Sequence, residues 1–223
     1  MRYGAGGCRL GIAFGLVALV LAIAAPGAGA ATFSWIKGYD DPATPDQYDQ
    51  VGILKEGSPS AKKILVLVPG TSAGATYFEP LAQDIVSKTH GWQVWSVERR
   101  ENLLEDQSML DRVKQGQATP QQLFDYYLGY IVNGKVTDHV VNVPDTSVLF
   151  ARGWGMRVAV EDLHRVIEEA RSQSREVVLG GHSLGGSIAT AYATWDFDGH
   201  PGADDLSGLV YIDGGSGPPT LTG

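Results

Sequence analysis

Two kinds of hydrophobic pattern alternate along much of the chain: short continuous apolar runs, and longer segments with apolar residues at helical spacing. Residues 63–68 are one such run, in which a lysine is followed only by Ile, Leu and Val, and a strand of this composition is buried on both faces. Residues 77–89 have helical spacing and end before Gly91, which can cap a helix. Residues 93–97 predict the next strand. This order predicts a parallel sheet with a crossover helix.

The same alternation returns later in the sequence. Residues 156–172 place their apolar side chains on one helical face, and residues 176–179 predict another buried strand. Further elements are predicted by shorter patterns: strands at 32–39, 48–55 and 208–212, and a helix at 187–194. We therefore predict an α/β fold with a mainly parallel sheet and helices on both faces.

Residues 100–155 interrupt this pattern. The segment leaves the carboxyl end of one predicted strand and returns to the start of a helix, so both of its ends lie on the edge where open α/β sheets bind ligands. We expect it to be an insertion that acts as a lid. Within it, Asn133 and Gly134 between β-forming residues predict a hairpin over 130–137. Its many aromatic residues favour a small core of its own over a substrate-lining role; they are Phe124, Tyr126, Tyr127, Tyr130, Phe150 and Trp154.

Residues 1–30 have the pattern of a secretory signal peptide. Arg2 and Arg9 precede an uncharged apolar run at 10–25, and small residues precede a cleavage point after Ala30. An uncleaved anchor would need about 20 apolar residues to cross a bilayer, so we expect cleavage and no stable membrane span afterwards. Residues 31–223 would then be the secreted or extracytoplasmic protein.

Composition excludes several classes of function. The 223 residues include 17 basic and 25 acidic side chains, giving a formal net charge of −8, which argues against binding to a nucleic-acid backbone. The single cysteine, Cys8, lies in the expected leader, so the rest can form neither a disulfide nor a thiolate metal site. Zinc-type spacing and a nucleotide-binding glycine loop are both absent from the sequence. We expect neither a metal nor a cofactor.

The most specific motif is the Gly-x-Ser-x-Gly pattern formed by Gly181, Ser183 and Gly185, with further glycines on both sides. It follows a predicted strand and precedes a predicted helix, the context in which this pattern forms a sharp turn that exposes the serine hydroxyl. The helix N-terminus there favours developing negative charge. The alternative is an ordinary glycine-rich turn with a surface serine.

A second motif follows the earlier strand, where Pro69 and Gly70 precede Thr71. In a sheet of this kind, the oxyanion hole takes one backbone N–H from the residue after the nucleophile and one from this loop. Leu184 and Thr71 are the residues at those positions. Alone, the Pro-Gly pair indicates only a turn, but its order relative to the serine motif makes the two a candidate site.

With both motifs, the chain resembles the α/β-hydrolase superfamily and is similar to its secreted lipase and esterase members over roughly residues 51–217. The resemblance rests on residues 68–71 and 180–186. It implies a serine hydrolase in which Ser183 attacks a small-molecule or lipid-like ester and forms an acyl-enzyme that water then cleaves. It also implies that His182, at a position often occupied by histidine in the family, points away from the site.

The other two residues of a catalytic triad, an acid and a histidine, are not marked by a motif of this kind. The family order is serine, acid, histidine, and Asp213, directly after a predicted strand, is the candidate acid; otherwise it is a cap or turn residue. None of the chain's histidines follows that strand; they are His90, His139, His164, His182 and His200. We therefore expect a C-terminally incomplete chain that lacks the last strands and the base. Without a base, Ser183 is a poor nucleophile, so this chain would be weakly active or inactive.

Two other groups of residues favour structural roles. The charged run at 98–101 (Glu-Arg-Arg-Glu) is more typical of a self-compensating surface network than of a site for a substrate carboxylate. His164, among charged neighbours on a predicted helix, is expected on the solvated face.

Two alternative functions remain open. An acyltransferase on the same scaffold would use an alcohol in place of water. A secreted binding protein that has lost its triad would have the same motifs without activity.

Overall fold

The computed structural model describes residues 31–214; the predicted signal peptide, at residues 1–30, lies outside them. The strands of this part are β1 (Thr32–Lys37), β2 (Gln50–Gly57), β3 (Lys63–Val68), β4 (Trp92–Glu98), β5 (Glu176–His182), β6 (Asp196–Phe197), β7 (His200–Pro201) and β8 (Gly208–Ile212). Six of them form one sheet in the order β1-β2-β4-β3-β5-β8, and β6 and β7 form a separate short hairpin.

The sheet is mainly parallel, as predicted. β4, β3, β5 and β8 run parallel to one another, whereas β2 pairs antiparallel with both β1 and β4. The alternating patterns at residues 32–39 and 48–55 predicted strands there, but they did not predict that these strands pair antiparallel. The parallel part carries the candidate site, because its carboxyl ends meet at one edge.

Helices cover both faces of this sheet: α1 (Glu79–Lys88) packs on one face, and α5 (Met156–Arg171) and α6 (Leu184–Thr194) pack on the other. The insertion contains α2 (Ser108–Lys114), α3 (Pro120–Phe124) and α4 (Tyr130–Val132). A π-helical stretch, Asp125–Gly129, joins α3 to α4. Within residues 31–214, no helix is both long enough and apolar enough to span a membrane.

The core is divided between the two faces. Successive side chains of a strand point to opposite sides, so Val66 of β3 packs into the larger cluster with α5 and α6, while Leu67 packs with Phe78 and Ala82 on the other side. Each of these side chains is at most 2% exposed. This burial on both faces explains the continuous apolar composition of β3.

The predicted hairpin at residues 130–137 is wrong. Thr119 begins α3 with a capping box to Gln122, and Pro120 occupies the first turn, so the helical segment is strongly initiated and runs on to α4. Asn133 ends it: its N–H donates to the carbonyl of Gly129 (2.8 Å), and its side-chain oxygen accepts from the N–H of Lys135 (3.2 Å). The Asn-Gly pair therefore terminates a helix.

Three of the insertion's aromatic residues, Tyr126, Tyr127 and Tyr130, contact other residues of the insertion but are only half-buried, so they do not form a buried core. The hydroxyls of Tyr126 and Tyr127 each donate to Asp106 at 2.6 Å, and Tyr130 stacks on His139 with ring centroids 4.3 Å apart. The other three aromatic residues also differ from the expected core: Phe124 is exposed, and Phe150 and Trp154 pack against Tyr48, before β2.

Candidate active site

Strand register brings the sequence motifs to one level of the sheet. Val68 of β3 pairs with Gly181 of β5, which in turn pairs with Tyr211 of β8. Two residues further along each strand come Gly70, Ser183 and Asp213. The three predicted parts of the site therefore lie side by side at the carboxyl edge, where parallel sheets bind their ligands.

Ser183 has the backbone conformation expected of a nucleophile at a sharp strand-to-helix turn. Its dihedral angles are φ 52° and ψ −120°, and it is the residue that directly precedes α6. A positive φ is uncommon outside glycine and is held only by the surrounding structure. The serine is exposed, so its hydroxyl is accessible at the N-terminus of the helix.

Gly181 and Gly185 make this turn sterically feasible. A Cβ on Gly185 would overlap the carbonyl oxygen of Val68, and one on Gly181 would overlap the backbone of Gly185. These are contacts with backbone atoms, which cannot rotate away. The glycines that the motif places on either side of Ser183 are thus required for β5, β3 and α6 to meet.

Two backbone N–H groups are available beside the serine. Leu184 is the first residue of α6, so its N–H has no intrahelical partner. Among the hydrogen bonds of residues 31–214, neither it nor the N–H of Thr71 has an acceptor. The loop is also in contact with the nucleophile, since a Cβ on Gly70 would lie 3.1 Å from the Cβ of Ser183. This arrangement has the elements of an oxyanion hole.

Asp213 lies next to Ser183 but is not connected to a base. It is exposed, has a φ of 43°, and accepts no hydrogen bond in the described part of the chain. The residue after it, Gly214, passes so close that a Cβ there would lie 2.8 Å from the backbone nitrogen of Ser183. The position fits a catalytic acid, and its role remains a prediction.

None of the five histidines, all within residues 31–214, is hydrogen-bonded to Ser183. His182 stacks on Tyr77 with ring centroids 5.1 Å apart, and its buried Nδ1 has no partner among the described atoms. His200 lies 2.7 Å from Asp205, His139 stacks within the insertion, and His90 is exposed after α1.

The expectation that His164 lies on a solvated face is wrong. Its ring stacks on Phe197 with centroids 3.9 Å apart, and its Nδ1 is 3.1 Å from the hydroxyl of Tyr192. Burial lowers the pKa of His164, and nearby carboxylates oppose the shift only in part. Tyr192 in turn donates to the buried Asp205 at 2.8 Å. Since Tyr192 is near the C-terminal end of α6, this cluster is more than two helical turns from Ser183.

The charged run at 98–101 is also not a surface network. Arg100 is 1% exposed and forms a bidentate pair with Asp162 of α5, at 2.7 and 2.6 Å. It also donates to Asp49 at 2.7 Å. These contacts join the first residue of the insertion to α5 and to the segment before β2. A buried arginine of this kind has no sequence signal that separates it from an exposed one.

A cleft of about 490 Å³ lies beside the candidate oxyanion loop. Gly74 and Thr76 line it on one side, Glu105 and Leu110 line it from the insertion, and β1 contributes Phe33 and Trp35. Ser183 does not line this cleft. Burial and repulsion from Glu98 raise the pKa of Glu105. Residues 31–214 contain no group of three or more side chains arranged to hold a metal ion.

A model of the alpha/beta hydrolase family matches residues 65–223, which include both motifs. The chain belongs to the alpha/beta hydrolase family. No curated protein matched this alpha/beta hydrolase.

Solved structures resemble it in fold. A protein from Sulfolobus solfataricus described as a candidate lipase is 16% identical, with a TM-score of 0.51, and the match covers 83% of this chain and 45% of that one. An esterase from Thermogutta terrifontis is also 16% identical, with a TM-score of 0.45 and coverage of 86% and 48%. This alpha/beta hydrolase thus spans about half the length of these two structures.

Proposed function

We propose that this protein is a serine hydrolase that cleaves an ester-like substrate through an acyl-enzyme on Ser183. The observation that carries the proposal is the backbone of Ser183, held at positive φ directly before α6. Beside it, the N–H groups of Thr71 and Leu184 have no acceptor within residues 31–214. An unpaired N–H at Leu184 is common to helix N-termini, so the proposal rests on its combination with the positive φ of Ser183 and the unpaired N–H of the neighbouring loop.

In the proposed reaction, a base removes the proton of Ser183 as Oγ attacks the substrate carbonyl. The oxygen of that carbonyl becomes negative and accepts hydrogen bonds from Thr71 and Leu184, whose N–H groups already have a fixed position. The alcohol leaves with the proton, and water then releases the acid from Ser183 by the same route. Asp213 orients the base and stabilises its charged form.

The base is a further part of the proposal. Since none of the five histidines is hydrogen-bonded to Ser183, we propose that the base is a histidine that follows residue 223 in the complete gene product. Asp213 is consistent with this, because it lies beside Ser183 at the carboxyl edge and is exposed, with no partner among the described residues.

Two features are proposed as the setting of this reaction. Residues 1–30 direct export and are removed after Ala30, so that the enzyme works outside the cytoplasm. The insertion at 100–155 is a lid that closes over the carboxyl edge of the sheet, where a small or lipid-like ester binds at Ser183.

Kinetics of the complete gene product test the proposal. The Ser183→Ala variant should reduce kcat for a p-nitrophenyl ester by about 10⁴-fold or more, since a nucleophile is lost and only the oxyanion hole and binding remain. Ser187→Ala, a matched serine one turn along α6, should retain wild-type kcat. Equal activity of wild type and Ser183→Ala, or no activity in either, would contradict the proposal.

Product analysis separates the alternatives. With an acceptor alcohol added, a hydrolase releases free acid, whereas an acyltransferase forms a new ester. A folded complete product that binds esters without turning them over would be the binding protein.

A further inference from the structure

Arg99 lies directly beside the candidate oxyanion loop. Leu67 of β3 pairs with Ser96 of β4, and three residues further along each strand come Gly70 and Arg99. The Nη1 of Arg99 donates to the carbonyl oxygens of Pro69 at 2.8 Å and Gly70 at 3.0 Å. Its side chain is only 11% exposed, so water competes little for these bonds.

The second of these bonds determines where the N–H of Thr71 points. The carbonyl of Gly70 and the N–H of Thr71 belong to one planar peptide unit, and the described peptide bonds are all trans. In a trans unit the two groups point in opposite directions. A guanidinium that holds the Gly70 oxygen on one side therefore holds the Thr71 N–H on the other. The N–H of Ala73, at 3.3 Å, adds a weaker bond to the same oxygen.

The other end of the loop is held by the same strand. The carboxylate of Glu98 accepts hydrogen bonds from the N–H of Ala75 and from the side chain of Asn102. Ser96, which is 1% exposed, donates from Oγ to the carbonyl of Ala75 at 2.6 Å. Side chains from the end of β4 thus hold residues 69–75 at both ends, while the free N–H of Thr71 lies between them.

Arg99 itself is well fixed. Its neighbour Arg100 is anchored by two buried carboxylates, and Glu101 lies 3.6 Å from the Nε of Arg99. Hydrogen bonds from a charged donor are stronger than those between neutral groups. The loop peptide is consequently held by a charged group that directly precedes a buried, paired residue.

We infer that Arg99 is a positioning residue that orients the Thr71 N–H for the transition-state oxyanion. The inference rests on the proposed function of Ser183. Arg99 makes no contact with the substrate; its effect comes through the peptide between Gly70 and Thr71. Sequence patterns alone assign Arg99 to a surface charge network, and the structure assigns it to the site.

Kinetics of Arg99→Met in the complete gene product give the first readout. Removing an oxyanion donor costs about 10²–10³ in kcat, so loss of its orientation should lower kcat about 10- to 100-fold. KM should change by less than about twofold, because the interaction strengthens only in the transition state. Arg99→Lys, which keeps the charge and one donor, should restore part of kcat. Arg165→Met, at an exposed arginine of α5 outside the insertion, is the matched control, with wild-type kcat.

A thionoester, in which sulfur replaces the carbonyl oxygen, gives the second readout. Backbone N–H groups bind an oxyanion far better than a sulfur anion, so the wild type should prefer the ester. In Arg99→Met, the ratio of kcat for the ester to kcat for the thionoester should fall about 10-fold, because the N–H of Thr71 is no longer held in place. A change in folding alone would lower both rates together.

Three results would overturn the inference. One is an unchanged kcat in Arg99→Met; another is a lower kcat with an unchanged ester preference, which indicates a structural role. Both leave Ser183-dependent hydrolysis by the wild type intact and therefore leave the proposed function standing. The third is a wild type without Ser183-dependent hydrolysis, which rejects the proposed function and this inference together.

Discussion

Ser183 adopts a strained backbone conformation because the glycines around it leave no room for another path. Close packing brings β5, α6 and the end of β3 together at Gly185. A Cβ at this position would overlap backbone atoms of Val68. Strain of this kind persists only where the surrounding packing enforces it. The Gly-x-Ser-x-Gly pattern is therefore a packing requirement as much as a chemical one.

A single methyl group at Gly185 should be strongly destabilising. In Gly185→Ala the new Cβ meets backbone atoms of Val68, so the strand or the helix must move. We expect the free energy of unfolding to fall by about 2–4 kcal/mol in urea titrations.

Gly134→Ala is the control for this prediction. Nothing lies within 4 Å of a Cβ at Gly134, so its free energy of unfolding should stay within about 0.5 kcal/mol of the wild type. Equal effects of the two variants would contradict the steric account of the turn.

At the scale of the elements, α5 and α6 are joined by a polar cluster as well as by the apolar core. Asp205 accepts hydrogen bonds from His200 and Tyr192 and pairs with Arg171. Burial raises the pKa of Asp205, but these hydrogen bonds and charges outweigh it, and the pKa lies below its ordinary value. His164 borders the cluster, 3.8 Å from Asp205, and keeps a lowered pKa because burial disfavours its charged form.

This cluster predicts a loss of stability in mild acid. His164 has a lower pKa when folded than its unfolded value of about 6.5, so the unfolded chain binds the proton more readily and stability falls as the pH drops through that range. Protonation of Asp205 also lowers the stability, because its folded pKa lies below its unfolded value. This loss begins only as the pH falls to the usual pKa of aspartate. We expect the free energy of unfolding to decrease from pH 7.5 to pH 5.5.

Two variants test whether His164 causes this decrease in the free energy of unfolding. His164→Gln cannot take up the proton, so its free energy of unfolding should fall less between the two pH values, measured by urea unfolding at each. His90→Gln, at an exposed histidine, should show the wild-type decrease. A wild-type decrease in His164→Gln would rule out His164 as the cause.

The elements also show which parts of the fold can be predicted from sequence. β3 and α5 lie within a residue or two of their predicted bounds, because their patterns come from burial on a face or on both faces. β8 also has its predicted bounds, although its apolar side chains are exposed among the described residues. The insertion was predicted less well. Its Asn-Gly pair suits a hairpin and a helix end equally, and the capping box at Thr119 decided between them.

For the whole molecule, the candidate site depends on the order and register of four parallel strands. Arg99, Gly70, Ser183 and Asp213 are far apart in the sequence and follow four different strands, β4, β3, β5 and β8, yet they occupy one level of the sheet. The motifs for Ser183 and Thr71 could be predicted from the sequence because each has its own glycine pattern. The role of Arg99 could not be predicted in this way, since it depends on which backbone carbonyls lie within reach of its guanidinium in the folded protein.

The buried charges of Arg100 illustrate the same limit. Its partners, Asp49 and Asp162, come from distant segments, and no local pattern indicates that three charged side chains will meet in the interior. These ion pairs attach the first residue of the insertion to α5. The position of the proposed lid therefore depends on contacts between residues that are distant in the sequence.

The most direct test of the central claim is covalent labelling of the complete gene product with a fluorophosphonate, followed by peptide mapping of the adduct. The proposed site predicts a single adduct on Ser183, absent from Ser183→Ala and retained in Ser187→Ala. An adduct on another residue, or no adduct on the folded protein, would contradict a nucleophilic role for Ser183.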